Sequence, residues 1–329
     1  MQGQQSSPPA VQPFATAAAL PELSEGRNVW GHPPQELRNH SVDSRRWRAF
    51  DFREGDIVIG TWARSGTTWM QQILGQLIFN GEPGLPVCDL SPWVETRAYP
   101  LERMLAFLEG QQHRRFVKTH LPVDSLVHSK DAKYIYVGRD GRDVLWSWFQ
   151  HHHAMTDFAY DLTARVPDRV GPPLPRPLAD FREYFHEWLD RDGWPLWSFW
   201  QNVDSWWRAR NEPNVLLVHF TELKADLPAQ IRRIARFLDI GIEESLLPRI
   251  VEHCGFQHMK ENASKLSWYL EKSFANGAQS FVNKGTNGNW RDLLTPGDLQ
   301  KYEEHASRNL AGPCARWLAT GESKEEFHA

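Results

Sequence analysis

A lysine and a histidine stand two residues apart in "KTHLP", residues 118 to 122, just after the apolar pair Phe116 and Val117. Side chains alternate along a strand, so Lys118 and His120 project to the same side of one. A lysine there can neutralise charge that develops on a transferring group. A histidine, whose ordinary pKa lies near neutrality, can take a proton from an incoming hydroxyl. A surface lysine beside a hydrogen-bonded structural histidine fits the same residues.

A second cluster precedes it. In "IVIGTWARSGTTWMQQIL", residues 57 to 74, Arg64, Ser65, Gly66, Thr67 and Thr68 join an apolar run to a helical pattern. A helix that begins at a strand's carboxyl end aims free N–H groups and a partial positive charge at an anion. Gly66 allows close backbone approach, the hydroxyls add donors, and Arg64 adds a fixed charge. An ATP-type loop reads GxxxxGK[ST]. Here Gly60 and Gly66 lie one residue further apart, and Thr67 stands where the lysine would be. That suits a short anion with no dedicated metal; a strand-turn-helix with Gly and Thr also fits a purely structural role. Arg139 and Ser147, in "YVGRDGRDVLWSWFQ" (136 to 150), repeat the plan and suit a second phosphate. The competing reading pairs Arg139 and Arg142 with Asp140 and Asp143 at the surface. "NKGTNGNW" (283 to 290) adds Lys284 in a Gly/Asn-rich loop. Two anion grips and a lid suit a nucleotide phosphorylated at two places.

Elements must hold these groups in place. Apolar, β-branched runs at 57–62, 115–119, 133–138 and 215–220 read as buried strands. Helical patterns fall at 67–79, 143–155, 196–210 and 227–239. The last places Ile231, Ile234, Ala235 and Leu238 on one face. Strands alternating with helices predict an α/β fold, a central parallel sheet flanked by helices on both faces. The stretch 157 to 178, with five prolines, predicts a long surface loop and a gate for an acceptor. Thr295 and Pro296 mark a final helix start.

The chain has 329 residues, 41% of them hydrophobic, and a net charge of -4. No global basic field draws in nucleic acid or a membrane, so any anion site is local. The three cysteines lie far apart and form no disulfide framework, which points to a reducing cytoplasm. Residues 1–34 and 321–329 read as tails around one domain at 35–320; no run is apolar and long enough to span a bilayer. Sixteen tryptophans is a high count. Those at 188, 194, 197, 200, 206 and 207 suit either core or the wall of an apolar acceptor cleft. "HHH" (151 to 153) invites a metal, but adjacent helical residues point in different directions, so no metal is assigned.

Taken in order, "TWARSGTTW", "KTHLP", "GRDGRDVLWS", "VHFTELK" and "NKGTNGNW" resemble the cytosolic sulfotransferase family over nearly the whole chain. The resemblance implies a P-loop-like sulfotransferase fold. It also implies transfer of sulfonate from 3'-phosphoadenosine 5'-phosphosulfate (PAPS) to a hydroxyl or amine of a small, aromatic or hydrophobic acceptor, leaving the 3',5'-bisphosphate (PAP). It casts Arg64 to Trp69 as the loop around the 5'-phosphosulfate, with Trp69 near the adenine. Arg139 and Ser147 would hold the 3'-phosphate, Cys254 and Phe256 would line the adenine pocket, and Asn283, Lys284 and Gly285 would close over it. His120 would be the base, with Lys118 and Arg64 balancing charge.

Three positions depart from the family: Arg64 replaces a lysine, Phe220 a tyrosine and Asn283 an arginine. A nucleotide kinase or NTPase, and a non-catalytic PAP- or PAPS-binding protein, are the alternatives. The short C-terminal segment through which many relatives dimerise has no clear match, which leaves a homodimer open.

Overall fold

A computed structural model describes residues 34–166, 169–282 and 284–322. The two expected tails therefore fall almost wholly outside the described residues, as does Asn283. Four strands pair in parallel: β1 (Ile57–Thr61), β2 (Phe116–Thr119), β3 (Lys133–Gly138) and β4 (Val215–His219), in the order β2-β1-β3-β4. Their residues are buried on both faces, and alternate side chains enter two different cores. Val58, Val117, Tyr134, Tyr136 and Leu217 belong to one. Ile57, Ile59, Phe116, Ile135 and Val137 belong to the other. Both faces are covered, as a parallel sheet requires.

The first of these faces is covered mainly by aromatic side chains. Tyr136 stacks on Trp206 with centroids 5.2 Å apart. The second is aliphatic. There α1 (Thr67–Ile78) supplies Met70, Ile73, Leu74 and Leu77. Further helices are α2 (Leu101–Glu109), α3 (Gly141–Ala154), α4 (Asp157–Ala164), α5 (Phe199–Arg208), α6 (Phe220–Ala225) and α7 (Leu227–Phe237). A last long helix, α8 (Pro296–Asn309), opens on the expected Thr295, whose hydroxyl accepts from Asp298 N. Among the described residues no helix is long and apolar enough to cross a membrane.

Two expectations change. The predicted loop at 157 to 178 begins as α4, because the prolines all lie beyond it. The fourth strand stops at His219, not Phe220. There His219 and Glu222 form a reciprocal cap that starts α6. Of the clustered tryptophans, Trp188, Trp197, Trp200, Trp206 and Trp207 are core, and Trp197 also lines the cavity described next.

Candidate active site

The strands end level with one another: Gly60 pairs with Thr119, Thr61 with Val137, and Gly138 with His219. A cavity of about 940 Å³ opens at these carboxyl ends, where ligands of open α/β sheets bind. Arg64, Lys118, His120, Arg139 and Ser147 all line it.

The floor is the loop into α1. Gly66 holds φ at +120°, a value that L side chains rarely adopt, and a Cβ there would stand 3.1 Å from the Phe220 ring. Arg64 is itself in the left-handed region, with φ 69°. No side chain caps the start of α1, so its first N–H groups remain available to an anion. The second helix start differs from expectation. At α3 the Asp140 carboxylate caps Arg142 N and also pairs with the Arg142 guanidinium at 2.6 Å. That helix end is already satisfied, and the predicted Arg142–Asp140 pair exists. Arg139 does not join it.

Arg139 instead lies over the Phe220 ring at 4.1 Å. It donates to Arg64 O at 3.2 Å and to Thr286 O at 2.9 Å, and its Nε and Nη2 both reach Asn287 Oδ1. The segment 284–289 is thereby tied to the end of β3. Lys224 Nζ donates to Gly285 O at 2.7 Å, and Gly288 N to Asp143 Oδ1 at 2.6 Å. Arg64 Nε donates to Ser147 Oγ at 3.2 Å and its Nη2 to Phe281 O at 3.0 Å. The two expected grips are thus neighbours sharing one cleft. Burial pulls both guanidinium pKa values down to about 10, and for Arg64 the charge of Arg139 adds to it. Both remain charged at neutral pH, and neither has a carboxylate ion pair among the described residues. An anion would balance them.

His120 is held by its Nδ1, which lies 2.9 Å from Thr61 O and 3.0 Å from Thr61 Oγ1. A carbonyl oxygen only accepts, so Nδ1 carries the proton and Nε2 keeps its lone pair. Thr61 Oγ1 continues to Thr67 Oγ1 at 2.7 Å, joining His120 to the loop that opens α1. Burial, then the charge of Lys118, lowers the His120 pKa to about 3, so the ring is neutral. Burial likewise lowers Lys118.

Two predicted contacts fall elsewhere. Cys254 does not line the cavity; its thiol is buried, and its carbonyl takes the Trp69 indole N–H at 2.8 Å. Ser65 is buried beneath the loop and does not line the cavity either. Gly66, Thr67, Thr68, Trp69, Phe220, Phe256, Lys284 and Gly285 all do. Trp69 meets Phe220 edge-on at 5.2 Å. A Cβ on Gly285, whose φ is +61°, would come within 2.5 Å of the Phe256 ring, so the backbone at Gly285 rests on that side chain.

Glu95 was not singled out in the sequence. Its carboxylate is fully buried and accepts from His120 N at 2.6 Å, Trp93 Nε1 at 2.5 Å, Trp47 Nε1 at 2.9 Å and Thr119 Oγ1 at 3.0 Å. It fixes the turn that carries the histidine. A buried acid in the apolar stretch "PWVET" was its only signal.

A model of the sulfotransferase domain matches residues 54–313. The chain is 30% identical to a glycolipid sulfotransferase of Mycobacterium bovis, over 84% of this chain and 91% of that protein. It is 30% identical to human sulfotransferase 1E1, over 80% of this chain and 86% of that one. A mouse sulfotransferase solved in complex with PAP superposes with a TM-score of 0.64 at 23% identity, covering 82% of this chain and 90% of that chain. On this evidence, and with the α/β sheet and strand-end cleft already described, the chain belongs to the sulfotransferase family.

Proposed function

We propose that the chain transfers the sulfonate group of PAPS to a hydroxyl of a small, largely apolar or aromatic acceptor and releases PAP. The observation that carries this reading is His120: its Nδ1 proton is committed to Thr61 O, next to a cleft whose two guanidinium groups have no carboxylate ion pair among the described residues. In the proposed reaction His120 Nε2 takes the acceptor proton as the acceptor oxygen bonds to sulfur. The bond from sulfur to the 5'-phosphate oxygen breaks, and PAP leaves with that electron pair. Lys118, Arg64 and the free N–H groups of α1 balance charge on the sulfonate and the departing phosphate. Arg139 and Ser147 hold the 3'-phosphate, with Lys284 and Gly285 above it. No metal has a part in these steps.

The acceptor half supports the substrate class. Trp93, Tyr99, Met104, Trp197, Tyr269 and Phe274 wall it, and α4 and Leu174 reach its rim, where the acceptor gate was expected. Trp197 stacks on His120 with centroids 5.8 Å apart, a platform beside the base. Incubation of labelled PAPS in EDTA with phenols, alcohols, amines and glycans tests the reading. We expect label on a hydroxyl acceptor and one PAP per transfer. Binding of PAP without transfer to any member of the panel would overturn it.

A further inference from the structure

Three consecutive histidines lie on α3, and their rings go three ways. His152 is fully engaged: Nδ1 lies 2.9 Å from Tyr184 Oη and Nε2 lies 2.8 Å from Pro175 O. His153 faces outward, with Nδ1 2.9 Å from Phe149 O. His151 lines the cavity. It follows Ser147 by four residues and precedes Met155 by four, and all three line the cavity. This is one stripe of the helix.

The surroundings of His151 are aromatic and lie beside Arg64. Its ring meets Phe274 at 4.8 Å, Trp148 at 5.3 Å and Phe281 at 5.9 Å. The Arg64 guanidinium lies over that same Phe281 at 5.2 Å. Burial, then the charge of Arg64, with Lys118 contributing, keeps the ring neutral. A neutral imidazole has one N–H to give and one lone pair to fill. Neither nitrogen of His151 hydrogen-bonds to any described residue, and Nδ1 is buried. Aromatic walls offer it nothing, and an enclosed polar group without a partner is costly.

We propose that His151 is a specificity-determining residue that hydrogen-bonds a second oxygen of the acceptor, adjacent to the one that receives the sulfonate. The acceptor class is then an apolar or aromatic body carrying two neighbouring hydroxyls, as in a catechol, a vicinal diol or a sugar headgroup. The inference rests on the sulfonate-transfer reading and narrows its substrate.

The test compares a catechol with the phenol that lacks its second hydroxyl, and a vicinal diol with the matching alcohol. In the wild-type protein, kcat/KM should favour the two-hydroxyl member by about tenfold or more. His151→Phe, which keeps a ring, should bring the ratio near one by slowing the two-hydroxyl acceptor alone. His151→Gln, which keeps a donor and an acceptor, should restore part of the ratio. Calorimetry should give the same PAP affinity for all three proteins. Binding of each acceptor to the PAP complex, also by calorimetry, reads the same preference without turnover. That readout separates failure of this inference from failure of sulfonate transfer. An unchanged ratio in His151→Phe would overturn the proposal. So would equal losses on both acceptors, or weaker PAP binding.

Discussion

Thr61 and Glu95 act on His120 from two sides. The Thr61 carbonyl fixes the tautomer, and the Glu95 carboxylate fixes the backbone that carries the ring. His120→Ala should lower kcat by about 10²- to 10⁴-fold, the usual effect of losing a general base. PAP affinity by calorimetry should stay near wild type, because the residues proposed to hold its phosphates are others. Glu95→Gln should behave differently. Four donors converge on that carboxylate, and an amide would turn an N–H group toward them. Denaturant unfolding should show a loss of about 1.5–3 kcal/mol, together with a lower kcat and intact PAP binding. Unchanged stability would remove Glu95 from its positioning role. Lys118, His120, Arg139 and Ser147 were readable from residue type and strand-end spacing. Glu95 was not, because its partners come from positions 47, 93, 119 and 120, which only the fold brings together.

The strand-loop-helix unit from Ile57 to Ile78 is the element on which the proposed anion binding depends. Gly66→Ala forces a side chain into a left-handed conformation and against Phe220. Backbone strain of that kind costs about 1–3 kcal/mol. PAP affinity should fall by about tenfold or more as the α1 N–H groups shift, with a smaller loss of melting temperature. Equal affinity for PAP in wild type and variant would argue that the loop does not hold the nucleotide. This unit was plain in the sequence, since an apolar run, a glycine and a helical pattern leave few alternatives. The start of α3 was less so. "GRDGRD" suited both a phosphate grip and a surface ion-pair array, and in the structure Arg142 pairs with Asp140 while Arg139 bonds the Thr286 carbonyl. Asp140 caps and pairs, while Arg139 turns to the lid. The helix α4 was hidden by the prolines that follow it.

Across the whole molecule, buried histidines set the response to acid. Burial lowers His40, His128, His152 and His219 to about 4, and His120 to about 3. Their unfolded values lie near 6.5, so below that pH the unfolded chain binds protons that the folded chain refuses. Stability from these groups is complete above 6.5 and is lost as pH falls toward 4, at about 1.4 kcal/mol per group per pH unit. Three carboxyls oppose this. Burial raises Asp143 to about 6 and also raises Asp89 and Glu95, so each favours folding as it protonates. The five histidines outnumber them, and thermal melts should drop steadily from pH 7 to pH 4.5. A melting temperature flat over that range would contradict the burial of these rings.

The cleft between the α1 loop and the lid is proposed to hold a nucleotide phosphorylated at both its 3' and 5' positions. Calorimetric titration with PAP and with adenosine 5'-phosphate, in EDTA, tests that most directly. PAP should bind, and adenosine 5'-phosphate should bind at least about tenfold more weakly, because Arg139 and Ser147 lose a charged partner. Equal affinities, or no heat from PAP, would contradict it.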